Sequence, residues 1–286
     1  MPPTLLAYPA ISKFISELGE DTFLYDRLDT ADYGFWPHLE HFLLNIKRFG
    51  NHKSIIERLT LVVPLKMDIQ QAWEKWRQFR SAQSEVTSIF IIENYLKGQV
   101  LEIIPVNQKR TSDIKVKLAN KEYLVEIKAQ SGQQHGSKHP RAKGSNEFSP
   151  DFELDLKSWL FEEKISSRNG KPMKPKIRDA NEQGAEILMA MTDHFSKIQD
   201  IKEQVSLLCP CNKFIETKEI TIETIQPCAA YFFRVTFPVK SSLINLKEIW
   251  LYNESHLDPF LVLSRESILI DHLNNIRQQR HRPNVG

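Results

Sequence analysis

YLVEIKAQ, residues 123–130, decides how the rest of the chain is read. Side chains alternate along a strand, so Val125 and Ile127 face one way while Leu124, Glu126 and Lys128 face the other. A glutamate and a lysine on one face of an apolar strand need partners, because charge removed from water costs free energy unless it is paired. The preceding segment, SDIKVKL (112–118), alternates with the same period, and ANKE between the two reads as a turn. Folding this hairpin about Asn120–Lys121 sets Asp113 opposite Lys128 and Lys115 opposite Glu126. Two carboxylates and an ammonium then meet at one end of a sheet whose other face, Ile114, Val116, Val125 and Ile127, is dry.

Working outward, QVLEIIPV (99–106) reads as a strand, and SEVTSIFIIENYLKG (84–98) as a helix capped by Ser84 and stopped by Gly98. Helix, strand and hairpin thus follow one another. Upstream, MDIQQAWEKWRQFR (67–80) offers Asp68 as an N-cap, with Trp73, Trp76, Arg77 and Arg80 at helical spacing. FWPHLEHFLLNIKRFG (35–50) starts with a proline, carries Leu39, Phe42, Leu43 and Ile46 on one stripe, and stops at Gly50. Downstream, residues 131–150 form a Gly-, Ser- and Pro-rich loop with Lys138, Arg141 and Lys143. A helix is expected over 151–165, then a basic turn with Arg168, Lys171, Lys174 and Lys176. A long helix is expected from Pro175 to Phe195, with Gly184 inside it for close approach to the sheet. Residues 214–225, 229–239 and 248–253 read as strands, the second as a central one. A last helix runs from Ser264 to about Arg280.

The chain has 286 residues, and 41% of them are hydrophobic, enough for one large α/β domain or two smaller ones. Its net charge of +2 excludes a bulk polycation, so any nucleic acid must be held by local basic patches. Three cysteines, Cys209, Cys211 and Cys228, fit neither a disulfide framework nor a closed cysteine-only metal site and suit a reducing compartment. The N-terminal stretch lacks the basic start and apolar run of a signal peptide, and no segment approaches the ~20 apolar residues of a membrane span. A soluble, cytoplasmic protein without membrane contact is expected. His135 and His139 have zinc-ligand spacing for a helix, but Gly136 and Pro140 argue against a helix there.

Two carboxylates with water and a phosphate oxygen make a hard oxygen site that suits Mg²⁺ or Mn²⁺. The Ile127 carbonyl lies between them as a further ligand, and Lys128 can stabilise charge growing on a phosphate. The pattern Asp113, hairpin, Glu126-Ile127-Lys128 resembles the PD-(D/E)XK nuclease superfamily, with Ser112 standing where the name has proline. That resemblance implies a restriction-endonuclease-like core: a helix, a three-strand meander, a helix and a further strand, in a mixed sheet flanked by helices. It implies Asp113 and Glu126 as metal ligands and Lys128 as catalytic lysine. Glu85, with Glu93 as the alternative, matches a further glutamate on the helix before the meander, and Gln183 a glutamine on the helix after it. The expected function is a Mg²⁺-dependent deoxyribonuclease, an endonuclease of restriction or defence type, with RNA as a possible substrate. The alternatives are a repair nuclease or an inactive nucleic-acid-binding or assembly module. Lys138, Arg141, Lys143, Arg168, Lys171, Lys174, Lys176, Arg77 and Arg80 are the expected phosphate contacts. Residues 81–286 would form the nuclease-like domain. Residues 1–80 would form a helical accessory region for recognition, homodimerisation or a partner protein.

Overall fold

Leu118 and Lys121 pair across a two-residue turn whose central residues, Ala119 and Asn120, both have positive φ, 49° and 65°. Two successive left-handed residues are the mark of a type I′ turn, whose twist matches that of the strands it joins. This turn fixes the register, with Ile114 opposite Val125 and Val116 opposite Tyr123. The turn centre is Ala119–Asn120 rather than Asn120–Lys121, so the expected pairing of Asp113 with Lys128 does not form. Asp113 instead lies beside Val125–Ile127: its N–H donates to the Val125 carbonyl at 3.1 Å. Lys115 faces Leu124 and pairs with Glu122 at 2.5 Å, not with Glu126.

This computed structural model describes residues 7–19, 21–25, 34–62, 69–105, 111–129, 159–160, 164–165, 172–192, 216–217, 221–225, 232–236, 239–240, 244–253, 260–264 and 268–281. Its helices are α1 (Pro9–Ser16), α2 (Trp36–Asn45), α3 (Lys53–Leu59), α4 (Ile69–Phe90), α5 (Lys176–Glu182) and α6 (Ile268–His281). Its main strands are β1 (Gln99–Ile103), β2 (Ile114–Leu118), β3 (Lys121–Ala129), β4 (Ile187–Thr192), β5 (Thr221–Ile225), β6 (Phe232–Thr236), β7 (Glu248–Asn253) and β8 (Phe260–Ser264). They form one mixed sheet in the order β1-β2-β3-β4-β7-β8-β6-β5. The meander β1-β2-β3 is antiparallel, β4 runs parallel to both β3 and β7, and β8 is antiparallel to β7. The expectation of an α/β protein with a mixed sheet flanked by helices holds.

Several local expectations change. The helices expected at 67–80 and 84–98 are continuous in α4, so Ser84 is no cap but a fully buried mid-helix residue. A π-helical turn, Ile91–Tyr95, ends this run. The helix expected over 175–195 stops at Glu182, and its apolar continuation is the buried strand β4. Gly184, with φ of 79°, is the reason. Its N–H donates to the Asn181 carbonyl and that of Ala185 to the Ala180 carbonyl, both at 3.1 Å, a Schellman stop. Residues 232–236 lie second from one edge of the sheet, and β4 and β7 take the centre. Ser264 ends β8, and the last helix begins at Ile268. Asp68, the loop 131–150 and most of the helix expected at 151–165 fall outside the described residues.

The buried side chains form one continuous cluster from the N-terminal helices to the sheet, including Ile11, Phe42, Leu59 and Phe79 with Val116, Val125, Met189, Trp250 and Leu269. Burial of each such side chain contributes about 1.5–3 kcal/mol relative to exposure. Helix α4 packs on α2, α3 and β3 at once. Enclosure on several sides explains why it buries Gln83, Glu85, Thr87 and Ser88 as well as apolar residues. Such groups must be paired, and His38 Nδ1 lies 3.2 Å from Thr87 Oγ1. Glu40 accepts the main-chain N–H groups of Ala10 and Ile11 at 3.0 and 2.9 Å, which tethers the start of α1 to α2. No described helix is long and apolar enough to cross a membrane.

Candidate active site on the meander

Asp113 is held from both sides by main chain. Its carbonyl accepts the N–H of Ile104 at 2.9 Å, and its carboxylate Oδ2 accepts the N–H of Ile127 at 2.7 Å. Glu126, on the neighbouring strand, is almost fully buried and bonds the Lys128 ammonium through Oε1. Its second oxygen, Oε2, is buried with no hydrogen-bond partner of ordinary geometry. Glu85 reaches the same place from α4, where Arg58 of α3 grips it with two hydrogen bonds of 2.6 and 2.7 Å. Ser81, one turn earlier on α4, donates to Glu85 Oε1 at 3.2 Å.

The electrostatics follow from this crowding. Burial, then Glu85 and Glu126, push the Asp113 carboxyl well above its usual value, against the weaker pull of Lys128 and the Ile127 N–H. Burial also raises Glu126, opposed by Lys128 and by the nearby Gln183 amide. For Lys128 burial works downward, but Glu126, Asp113 and Asp179 outweigh it and leave the ammonium firmly charged. Asp179 of α5 lies 3.3 Å from the Lys128 Nζ. Lys176, one turn before it, is lowered by burial and by the charge of Lys128.

The structure therefore gathers Asp113, Glu126, Lys128 and Glu85, as the sequence suggested. Gln183 comes to Glu126 from the residue that caps α5 rather than from within a helix. The Ile127 N–H serves Asp113, the main-chain group of this residue whose role is visible. Glu93 does not join: His41 at 2.7 Å, Arg48 at 2.5 Å and the Val100 N–H at 3.1 Å occupy its carboxylate and brace the π-helical turn against β1. Arg80 is buried and bonded to Gln83 at 2.6 Å, so it is not a phosphate contact, whereas Arg77 is exposed. Lys174 is exposed and paired with Glu182, and Lys176 lies at the site itself. Lys138, Arg141, Lys143, Arg168 and Lys171 lie outside the described residues, as do His135, His139 and the three cysteines.

Sequence reasoning missed two members, Arg58 and Asp179. Asp179 had a signal, since it precedes Gln183 by four residues and so shares its helix face. Arg58 had none, because only the packing of α3 on α4 brings it to Glu85. A separate hollow of about 500 Å³, lined by Phe14, Leu43, Ile46 and Ile56 among others, lies between α1, α2 and α3 and shares no residue with this cluster.

Among the described residues, no three His, Cys, Asp or Glu side chains are arranged as a ready-made metal site. Arg58 and Lys128 hold the cationic positions beside Glu85 and Glu126. The donor chemistry nonetheless fits a hard divalent cation: half-buried Asp113 and buried Glu126 stand side by side, each raised, with Glu126 Oε2 lacking a hydrogen bond of ordinary geometry. The chain matches no protein-family model, no curated protein and no solved structure.

Proposed function

We propose that the protein is a metal-dependent deoxyribonuclease of restriction or defence type that hydrolyses phosphodiester bonds. The observation that carries this reading is the convergence of Asp113, Glu126 and Lys128 at one end of the meander, with a buried Glu126 oxygen that makes no hydrogen bond of ordinary geometry. The order α4, β1-β2-β3, α5, β4, with β4 parallel to β3, agrees with the superfamily core that the sequence resembles.

Asp113 and Glu126 would hold a Mg²⁺ or Mn²⁺ ion, which when bound neutralises phosphate charge and makes water a better nucleophile. The Ile127 N–H keeps the Asp113 carboxylate turned into the site. Lys128 keeps its proton, because the surrounding carboxylates stabilise the ammonium, and presents that charge to a phosphate oxygen. Arg58 neutralises Glu85, so that a third carboxylate can stand beside Asp113. Arg77, exposed on α4, and Lys176 remain as cations for the DNA backbone, together with the basic segments outside the described residues.

The test is cleavage of supercoiled and linear DNA with Mg²⁺, Mn²⁺ or EDTA, with Lys128→Ala alongside. Metal-dependent cleavage that disappears in the variant is expected, with DNA binding retained. Equal cleavage by both proteins would remove Lys128 from the chemistry. A second reading, a nucleic-acid-binding or assembly module without catalysis, draws on the ion pairs already closed around Lys128 and Arg58. It expects DNA binding with no cleavage under any metal.

A further inference from the structure

Lys128 has two carboxylate partners of different kinds. Glu126 sits two residues away on the same strand and belongs to the carboxylate cluster. Asp179 comes from α5, across the site, at 3.3 Å. A divalent cation taken up by Glu126 would compete with the ammonium for that carboxylate and repel it, since like charges a few ångströms apart interact strongly where water is scarce. A lysine tied to Glu126 alone would then swing away on four flexible bonds.

The anchor that remains stands on a fixed element. Ile177 and Ala180 are buried under α5. Asn181 Oδ1 accepts the N–H of Asn245 at 2.9 Å and of Leu246 at 3.2 Å. The Ser112 hydroxyl, next to Asp113, donates to the Gln183 carbonyl at 3.4 Å. Lys176 shares the face of Asp179 one turn away, so the Asp179 carboxylate works between two ammonium groups.

We propose that Asp179 is a positioning residue, holding the Lys128 ammonium in the site while Glu126 serves the cation. This rests on the nuclease reading of the same site. Asp179→Asn, Asp179→Ala and Asp179→Glu separate it from a structural role. In single-turnover cleavage, the Asn and Ala variants are expected to slow about 10–100-fold, the usual effect of removing a group that orients a reacting one. DNA affinity should hold or tighten, and Asp179→Glu should recover most of the rate. A second readout needs no cleavage. The ¹⁵N signal of the Lys128 ammonium, assigned by its loss in Lys128→Arg, should stay sharp on Mg²⁺ addition in the wild type and broaden in Asp179→Asn. An unchanged rate in Asp179→Asn, a joint loss of rate and affinity that glutamate does not restore, or identical ammonium signals in both proteins would overturn the assignment. If the wild type cleaves nothing, the nuclease reading fails and the ammonium signal alone decides for or against Asp179.

Discussion

Arg58 clamps Glu85 with two short hydrogen bonds, and the glutamate is buried behind it. Removing only the arginine leaves a carboxylate with no counter-charge beside Asp113. Arg58→Ala should therefore lower stability by about 3 kcal/mol, as for other broken buried ion pairs, read from urea midpoints. Replacing both partners, Arg58→Met with Glu85→Gln, should cost clearly less. Asp113 behaves in the opposite way. Its carboxyl is raised above the unfolded-state value, so the folded chain binds a proton that the unfolded chain has released, and this group's contribution to stability falls as pH rises through that window. Asp113→Asn should consequently melt higher than the wild type at neutral pH and, on the proposed nuclease reading, lose cleavage; a lower melting temperature would contradict the direction of the shift. At this scale the sequence told much. Glu126 and Lys128 were legible from the alternation of one strand, and Asp113 from the hairpin before it. Arg58 was not, because a contact between two helices leaves no periodic trace in either.

Turns and caps carry the next level. Ala119 takes a left-handed conformation that glycine accepts freely and alanine does not. Its N–H donates to His272 Nδ1 at 2.8 Å, and the other ring nitrogen lies 2.6 Å from the Leu96 carbonyl, so α6 braces the turn. Ala119→Gly should stabilise the protein by about 0.5–1 kcal/mol, visible as a shifted denaturation midpoint with unchanged activity. Between α2 and α4, His38 is buried and stays neutral: burial first, then His41, lower its pKa from 6.5 to about 3. The unfolded chain takes up a proton below pH 6.5 that the folded chain refuses until about 3, so stability falls as pH drops across this window. The slope approaches about 1.4 kcal/mol per pH unit. His38→Gln should flatten it, checked by urea unfolding at neutral pH and in the middle of the window. The elements that sequence reading misplaced share a cause. Apolar residues 187–192 fit a helical stripe and a buried strand equally well, and the left-handed Gly184 decides for the strand. The hairpin turn moved because Ala119, a poor left-handed residue, gave no warning.

For the whole molecule, the continuous cluster from Ile11 to Leu273 joins the N-terminal helices to the sheet. Far-UV circular dichroism and tryptophan fluorescence should accordingly report one coincident unfolding transition, and two separated midpoints would show that the halves melt independently. The sheet order was the least legible feature, since pairing between distant strands depends on packing rather than on any local pattern. It also has a consequence for synthesis. Strand β7 lies between β4 and β8, although β5 and β6 are made before it. On the ribosome, the stretch from Thr192 to Glu248 takes a few seconds at about 5–20 residues per second. Throughout that interval β4, ILMAMT, lacks its second neighbour and exposes an apolar edge. Nascent chains that stall before Asn253 should therefore aggregate more readily than the full-length chain, which a comparison of stalled and released chains in a translation extract would check.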